Sequence, residues 1–253
     1  MADTKVDVIT EKLRQQILKG DFGTLGRLPS LRMLADQYDT ARETMNKVVQ
    51  QLQAEGLLIS RGTGGVFVAY RTRLPAGITA RFDLYLKQQG LTPVETDIEK
   101  PSLVPASPEA AEVFGIAEGT SVVRRYRRQG TTETHYRLTE NFYSTDLVDE
   151  AILKHMQDDV SFDVLLAIKA KYGKAVKYMH ERVIGRLPTL QEQELLKIIR
   201  NSPVLDVHRT SRADDEKRSV IMFSHIIYIA SYFELSYDYT VPYWTEEKQS
   251  NKR

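Results

Sequence analysis

The sequence predicts an α+β protein in two parts, a winged helix-turn-helix followed by a larger antiparallel α+β domain. Three observations predict it. The first seventy residues carry three helical periodicities closed by a glycine-rich hairpin. Residues 71–77 (RTRLPAG) break the periodicity with a proline, a glycine and two cations, as a linker does. Beyond them, capped helices and strand-like segments alternate in a mixed order with some hairpin-length connections, which favours an antiparallel sheet over a doubly wound parallel one.

Val6, Ile9, Leu13 and Ile17 recur at spacings of three and four, so residues 6–18 form an amphipathic helix that stops at Gly20. After a turn region from Asp21 to Arg27, Ser30 is placed to N-cap a short second helix whose Leu31, Leu34, Ala35 and Tyr38 share a face. Thr40 and Glu43 have the spacing of a capping box opening a third helix, buried through Met45, Val48, Val49 and Leu52 and ended by Gly56. Its other side presents Arg42, Glu43, Asn46, Lys47 and Gln50, side chains able to bond base edges or phosphates. Leu57–Ser60 and Val66–Val68 read as strands around Arg61-Gly62-Thr63-Gly64-Gly65, a hairpin tip with one cation. Helices in this order with a basic wing make a DNA-binding unit in which the third helix enters the major groove. Taken singly, each of these charges is as readily part of an ordinary solvated helix face.

Composition bounds the rest. A chain of 253 residues with 42% hydrophobic and 27% charged residues can bury a core, and disorder is not expected for its bulk. Zero cysteines exclude disulfides, thiolate metal sites and cysteine nucleophiles. With neither a charged-then-apolar leader nor a run of 18 apolar residues, the expectation is a cytoplasmic protein with no membrane partner. The net charge of +1 is the sum of +3 over residues 1–73 and −2 over residues 74–253, mildly favouring nucleic acid at the N-terminal end.

The N-terminal stretch resembles the DNA-binding domain of GntR-family bacterial regulators. Leu28-Pro29-Ser30-Leu31-Arg32-Met33-Leu34-Ala35-Asp36 is similar to that family's Leu-Pro-Ser-Glu-Arg-x-Leu-Ala pattern. Thr40 to Thr44 is similar to its Ser-Arg-x-Thr turn, and Glu55 to Leu58 with Arg61 to Gly64 to its wing. The resemblance implies that Arg32 and Arg42 contact bases or phosphates, that Thr44 and Asn46 support readout, and that the tip with Arg61, Gly62 and Gly64 enters the minor groove; Lys47 is a further candidate DNA contact from its place on the exposed face of the third helix. Leu31 and Ala41 depart from the family's usual Glu and Ser or Thr.

In the second part, Ile78–Gln89 has a helical pattern, and Ser107-Pro108-Glu109 opens a helix that Gly115 closes. Ser161 is placed to cap Phe162–Tyr172, and Thr189 with Glu192 forms a capping box for a helix to about Ile199. Strands are expected at Ser121–Arg128, His135–Tyr143, Lys177–Ile184, Val204–Arg212 and Val220–Ala230. Alternation puts Arg125 and Arg127 on one face about 7 Å apart, an arrangement suited to gripping phosphate or carboxylate. Glu140 shares a strand face with Tyr136, Leu138 and Phe142, where an unpaired charge is costly, so it either pairs with an arginine such as Arg125 or accepts from a ligand. The N-terminus capped by Ser161 offers backbone N–H groups to an anion, or Ser161 only caps it. Ser224, Ile226 and Tyr228 lie on one strand face.

Residues 78–243 resemble the UTRA effector-binding domain of HutC-type GntR regulators, carried by Gly90-Leu91-Thr92-Pro93, Ala111–Gly119 leading into Val122-Val123, Arg125-Tyr126-Arg127, Ser161 with Tyr172-Gly173, and Arg209. The resemblance implies a chorismate-lyase-like fold, a homodimer on double-stranded operator DNA, and a small anionic effector held by Arg125, Arg127, Glu140, Ser161, Arg209 and Tyr228. Met222 stands where some sugar-phosphate-sensing relatives carry Glu, which argues against a hexosamine phosphate. The expected domains are therefore 1–70 for DNA, 71–77 as linker, 78–243 for effector and dimerisation, and 244–253 as a polar tail. A repressor in a bacterial cytoplasm is the leading expectation. One rival keeps the DNA-binding domain but makes the second domain a dimerisation and interaction module, its cavity filled by the bulky run Phe223–Phe233. The other, an enzyme on the lyase-like fold, finds no support: His135, His155, His180, His208 and His225 show no metal-ligand spacing, and no phosphate loop or nucleophile elbow is present, so neither catalytic residues, metal nor cofactor is expected.

Overall fold

A computed structural model describes residues 4–23, 26–60, 64–69, 72–75, 81–88, 90–132 and 134–238. Helix α1 (Lys5–Lys19) starts at a capping box that pairs Thr4 with Asp7 and ends at Gly20, whose φ of 88° suits glycine. α2 (Leu31–Gln37) begins where Ser30 Oγ accepts from the Met33 N–H at 3.3 Å. α3 (Arg42–Ala54) differs from expectation at its start. Ala41 holds the N-cap position with no side-chain cap, because Thr40 lies one residue too early. Leu13, Leu34, Met45, Val48 and Leu52 close the helical core, each worth roughly 1.5–3 kcal/mol on burial. β1 (Leu58–Ser60) and β2 (Val66–Val68) pair antiparallel, with Leu58 opposite Val68.

The 71–77 stretch is not a free linker throughout: β3 (Thr72–Pro75) pairs in parallel with β10 (Phe233–Ser236). The helix expected at 78–89 is α4 (Phe82–Gln88), with 78–80 and 89 outside the described residues. The second domain is built on a six-stranded sheet of β4 (Val94–Pro105), β5 (Ser121–Gly130), β6 (His135–Ser144), β7 (Val176–Arg186), β8 (Val204–Ala213) and β9 (Val220–Ile229). The order is β4-β5-β6-β9-β8-β7, with every neighbouring pair antiparallel.

Helices cover both faces. On one, α4 packs through Phe82 and Leu86 on Val207, Ile226 and Tyr228. On the same face α6 (Glu150–Asp158) and α7 (Val164–Tyr172) pack through Met156 and Ile168 on Val123 and Tyr143. On the other face α5 (Pro108–Phe114) covers Val122, Phe142 and Phe223, and α8 (Leu190–Leu196) covers Leu138, Ile227 and Ile229. α8 stops short of Ile199 because Lys197 turns into the left-handed region at φ 58°. Asp163, not Ser161, caps α7, its Oδ1 accepting from the Leu166 N–H at 3.0 Å. Among the described residues no helix is long and apolar enough to cross a membrane.

Candidate nucleic-acid interface and ligand pocket

The outer face of α2 and α3 presents Arg32, Arg42, Asn46 and Lys47 to solvent, with Thr44 half-buried beside them. Among the described residues none of the three cations is ion-paired, so their charge is available to a polyanion. The tight turn before α3 is held by Asp39 at φ 45° and by the Thr40 N–H donating to the Ala35 carbonyl at 2.9 Å. Gly64 is exposed, whereas Arg61 and Gly62 lie outside the described residues. Arg27 joins this surface although the sequence places it only in a turn. Its guanidinium lies so close to the wing that a side-chain carbon at Gly65, φ 102°, would come within 3.0 Å of Nε.

Between α4 and the α6–α7 pair, the sheet leaves a cavity of about 640 Å³. Six cationic side chains line it, Arg81, Lys87, Arg125, Arg127, Arg137 and Arg209, against three carboxylates, Asp83, Glu95 and Asp163. Arg125 and Arg127 point into it together, as alternation requires, but their terminal nitrogens are differently engaged. Arg125, 1% exposed, donates from Nη1 to the Phe162 carbonyl (3.0 Å) and from Nη2 to those of Asp159 and Val160 (3.1 and 2.7 Å). It therefore staples the 159–162 loop to the sheet, and only its Nε, 3.5 Å from Asp97 Oδ1, lacks a hydrogen bond. Burial, and then the neighbouring Arg127, push its guanidinium below the ordinary value. Arg127 bonds Glu95 at 2.5 Å and keeps an unpartnered Nε.

The floor of the pocket holds a residue that sequence reasoning missed. Arg137 is 2% exposed and pairs with no carboxylate among the described residues. Its Nε donates to Gln129 Oε1 at 2.7 Å, its Nη1 donates to the Tyr228 hydroxyl at 2.9 Å, and its guanidinium stacks 4.0 Å from the Phe82 ring centroid. Burial pushes the Arg137 guanidinium down, and at Tyr228 the pull of Arg137 and Arg209 outweighs burial, so that phenol lies below its usual value. A buried cation that bonds to no counter-ion, with Glu95 acting only through space, is costly unless something supplies further negative charge. Nearby, Asn141 Oδ1 and Ser224 Oγ are buried without hydrogen-bond partners.

The remaining expected ligand residues divide. Ser161 and Arg209 line the cavity. Ser161 Oγ donates to Asp159 Oδ1 at 2.7 Å, and Arg209 Nε donates to Glu181. Tyr228 does not line it: the ring packs under α4 with Phe233, and only its hydroxyl reaches Arg137. Glu140 faces away from the cavity altogether, pairing with Arg124 rather than Arg125. The sequence assumed one apolar sheet face, but helices cover both, and Thr139 and Asn141 turn towards the pocket instead. Nor does the Phe223–Phe233 run fill the space, because Phe223 lies beneath α5 and Phe233 beneath α4. On the Glu140 face, the strands bring His208 and His225 together, ring centroids 4.7 Å apart, although their sequence spacing gave no sign of it.

Comparison with known proteins agrees with both halves of this description. Residues 5–68 match the gntR family of bacterial regulatory proteins, and residues 88–234, more than half of the chain, match the UTRA domain. An HTH-type transcriptional regulator of Streptomyces coelicolor is 28% identical over 92% of each chain. The HTH-type transcriptional repressor NagR of Bacillus subtilis is 25% identical, over 80% of this chain and 82% of that one. The crystal structure of PhnF from Mycobacterium smegmatis superposes with a TM-score of 0.60 at 21% identity, covering 92% of this chain and all of that one, which shows the shared fold. The chain belongs to the gntR family of bacterial regulatory proteins, in the branch that joins a DNA-binding winged helix to a UTRA domain for small-molecule effectors.

Proposed function

We propose that this protein is a transcriptional repressor of the bacterial cytoplasm, binding a pseudo-palindromic operator as a homodimer and releasing or tightening on it when a small anionic metabolite enters the second domain. The observation that carries the anionic effector is Arg137, a buried cation on the pocket floor that bonds to no carboxylate among the described residues, Glu95 acting on it only through space. The surplus of cations around it and the unpartnered Arg127 Nε, Asn141 Oδ1 and Ser224 Oγ supply donors and an acceptor for a compact polar molecule. A repressor among the relatives supports the direction of control. The pocket is read as a sensor and not a catalyst, since the relatives are regulators.

Strand β9 supports a coupling route. It lines the pocket through Met222, Ser224 and Ile226, then runs into a 3-10 turn at Ala230–Tyr232. That turn abuts the end of α3: a side-chain carbon at Gly56 would fall 1.6 Å from Ser231 Cβ. An effector that shifts β9 would thereby bias the orientation of the recognition helix, redistributing conformations that already exist. The test is selection of genome fragments by the purified protein, then binding to the recovered site with a panel of phosphates and carboxylates. The expected result is a short palindrome, its two half-sites about 34 Å apart, with at least a tenfold change in affinity caused by one anion. A palindrome indifferent to every anion would overturn the sensor reading, and failure to recover any specific site at low salt would overturn the repressor reading.

A further inference from the structure

On the sheet face opposite the pocket, α5 and α8 cover the two ends, and a polar row crosses the sheet between them. The register sets Glu140 on β6 opposite His225 on β9, and His225 opposite His208 on β8. Asp206 lies two residues before His208 and so shares its face. His225 Nε2 lies 2.7 Å from Asp206 Oδ1 and His208 Nε2 lies 3.2 Å from the same oxygen. One carboxylate oxygen and two imidazole nitrogens thus converge on one point, all within 4.8 Å of one another.

Convergence alone describes a hydrogen-bonded cluster, but the surroundings of the three groups say more. Arg186 Nε holds the other Asp206 oxygen at 2.6 Å, leaving Oδ1 to face the histidines. The second nitrogen of each ring lies near a carboxylate: Glu109 Oε1 is 2.8 Å from His208 Nδ1, and Glu140 Oε2, beyond hydrogen-bond reach, is 4.0 Å from His225 Nδ1. Glu109 sits off the His208 N–H direction, leaving that nitrogen near a charge but without a hydrogen bond. Imidazoles that ligate metal through one nitrogen commonly donate from the other to a carboxylate, and Glu109 is near enough to His208 Nδ1 to take that part once it reorients.

We propose that Asp206, His208 and His225 form a site for one divalent first-row transition-metal ion, with Zn²⁺ the best match to two imidazoles and one carboxylate. Ligands about 2.1 Å from such an ion stand about 3.0–3.4 Å from one another. The observed 2.7 and 3.2 Å from Asp206 Oδ1 to the two histidine nitrogens lie within tenths of an ångström of that spacing. The histidine side chains remain 16% and 31% exposed, leaving the outward side to water or a further ligand. Arg209 directly follows His208 and Ser224 directly precedes His225, so an ion here ties together two strands that also line the pocket. The site lies on the opposite face from the anion pocket and stands or falls independently of it.

The test uses the untagged full chain, stripped with chelator, titrated with Zn²⁺ by calorimetry and with Co²⁺ by visible absorption. One equivalent should bind per chain, with affinity at least tenfold weaker in His208→Ala and in His225→Ala. His155→Ala and His180→Ala, exposed histidines outside the cluster, should bind as the wild type does. Absence of saturable binding at one equivalent, or unchanged affinity in both cluster variants, would overturn the proposal. If either cluster variant does not fold, wild-type Co²⁺ spectra decide the matter: bands shifted and strengthened by imidazole ligation support the site, and a spectrum like that of the aqueous ion overturns it.

Discussion

Arg125 and Arg137 show how similar side chains at one pocket do different work. Arg125 commits its terminal nitrogens to three backbone carbonyls of the 159–162 loop, so its first role is to hold the pocket wall in place. Arg125→Met should strand those acceptors and lower stability by about 3 kcal/mol or more, read by urea unfolding. A loss below about 1 kcal/mol would show that the loop does not depend on it. On the DNA face, Arg42→Ala should weaken operator binding by about 1–3 kcal/mol and relax preference at one base pair, whereas unchanged site preference would remove Arg42 from base readout. Strand alternation alone put Arg125 and Arg127 on a common face. It carried no information about the loop carbonyls, which come from residues 34 to 37 positions away. Nor could it choose the pocket side of β6, because Leu138 and Phe142 are as deeply covered on one face as Thr139 and Asn141 are on the other.

At the scale of elements, helices with explicit caps were legible. Ser30, Ser107 with Gly115, and Thr189 with Glu192 each mark the end they were expected to mark, because a cap is a local bond between residues three apart. The β4 strand was not legible. It is a charged edge strand with a proline in its middle, and two register shifts against β5 break the alternation that would announce it. α6 escaped for a related reason, since only Ile152 and Met156 of its nine residues are buried. The capping box expected at Thr40 failed by one residue, and that failure is testable. Ala41→Ser should supply the missing acceptor at the start of α3 and raise stability by about 1 kcal/mol in denaturant unfolding. No change would mean that the first turn of α3 is already satisfied.

At the scale of the molecule, two chemically distinct surfaces are joined through one strand. The proposed DNA face is a set of exposed cations that are unpaired among the described residues, the pocket is lined by mostly paired ones, and β9 passes from the pocket floor to the end of α3. Reversing operator occupancy from nearly full to nearly empty requires the effector to discriminate the two conformations by about 10⁴ in affinity, so the charge meeting Arg137 must differ in strength between them. The most direct measurement is the ratio of operator affinities with and without the recovered anion, compared between the wild type and Arg137→Met. A wild-type ratio of at least tenfold, from or towards tighter binding, that falls below about threefold in Arg137→Met is the predicted result. An equal ratio in the two proteins would mean that the buried arginine does not read the effector and would overturn the anion-sensing role of the pocket.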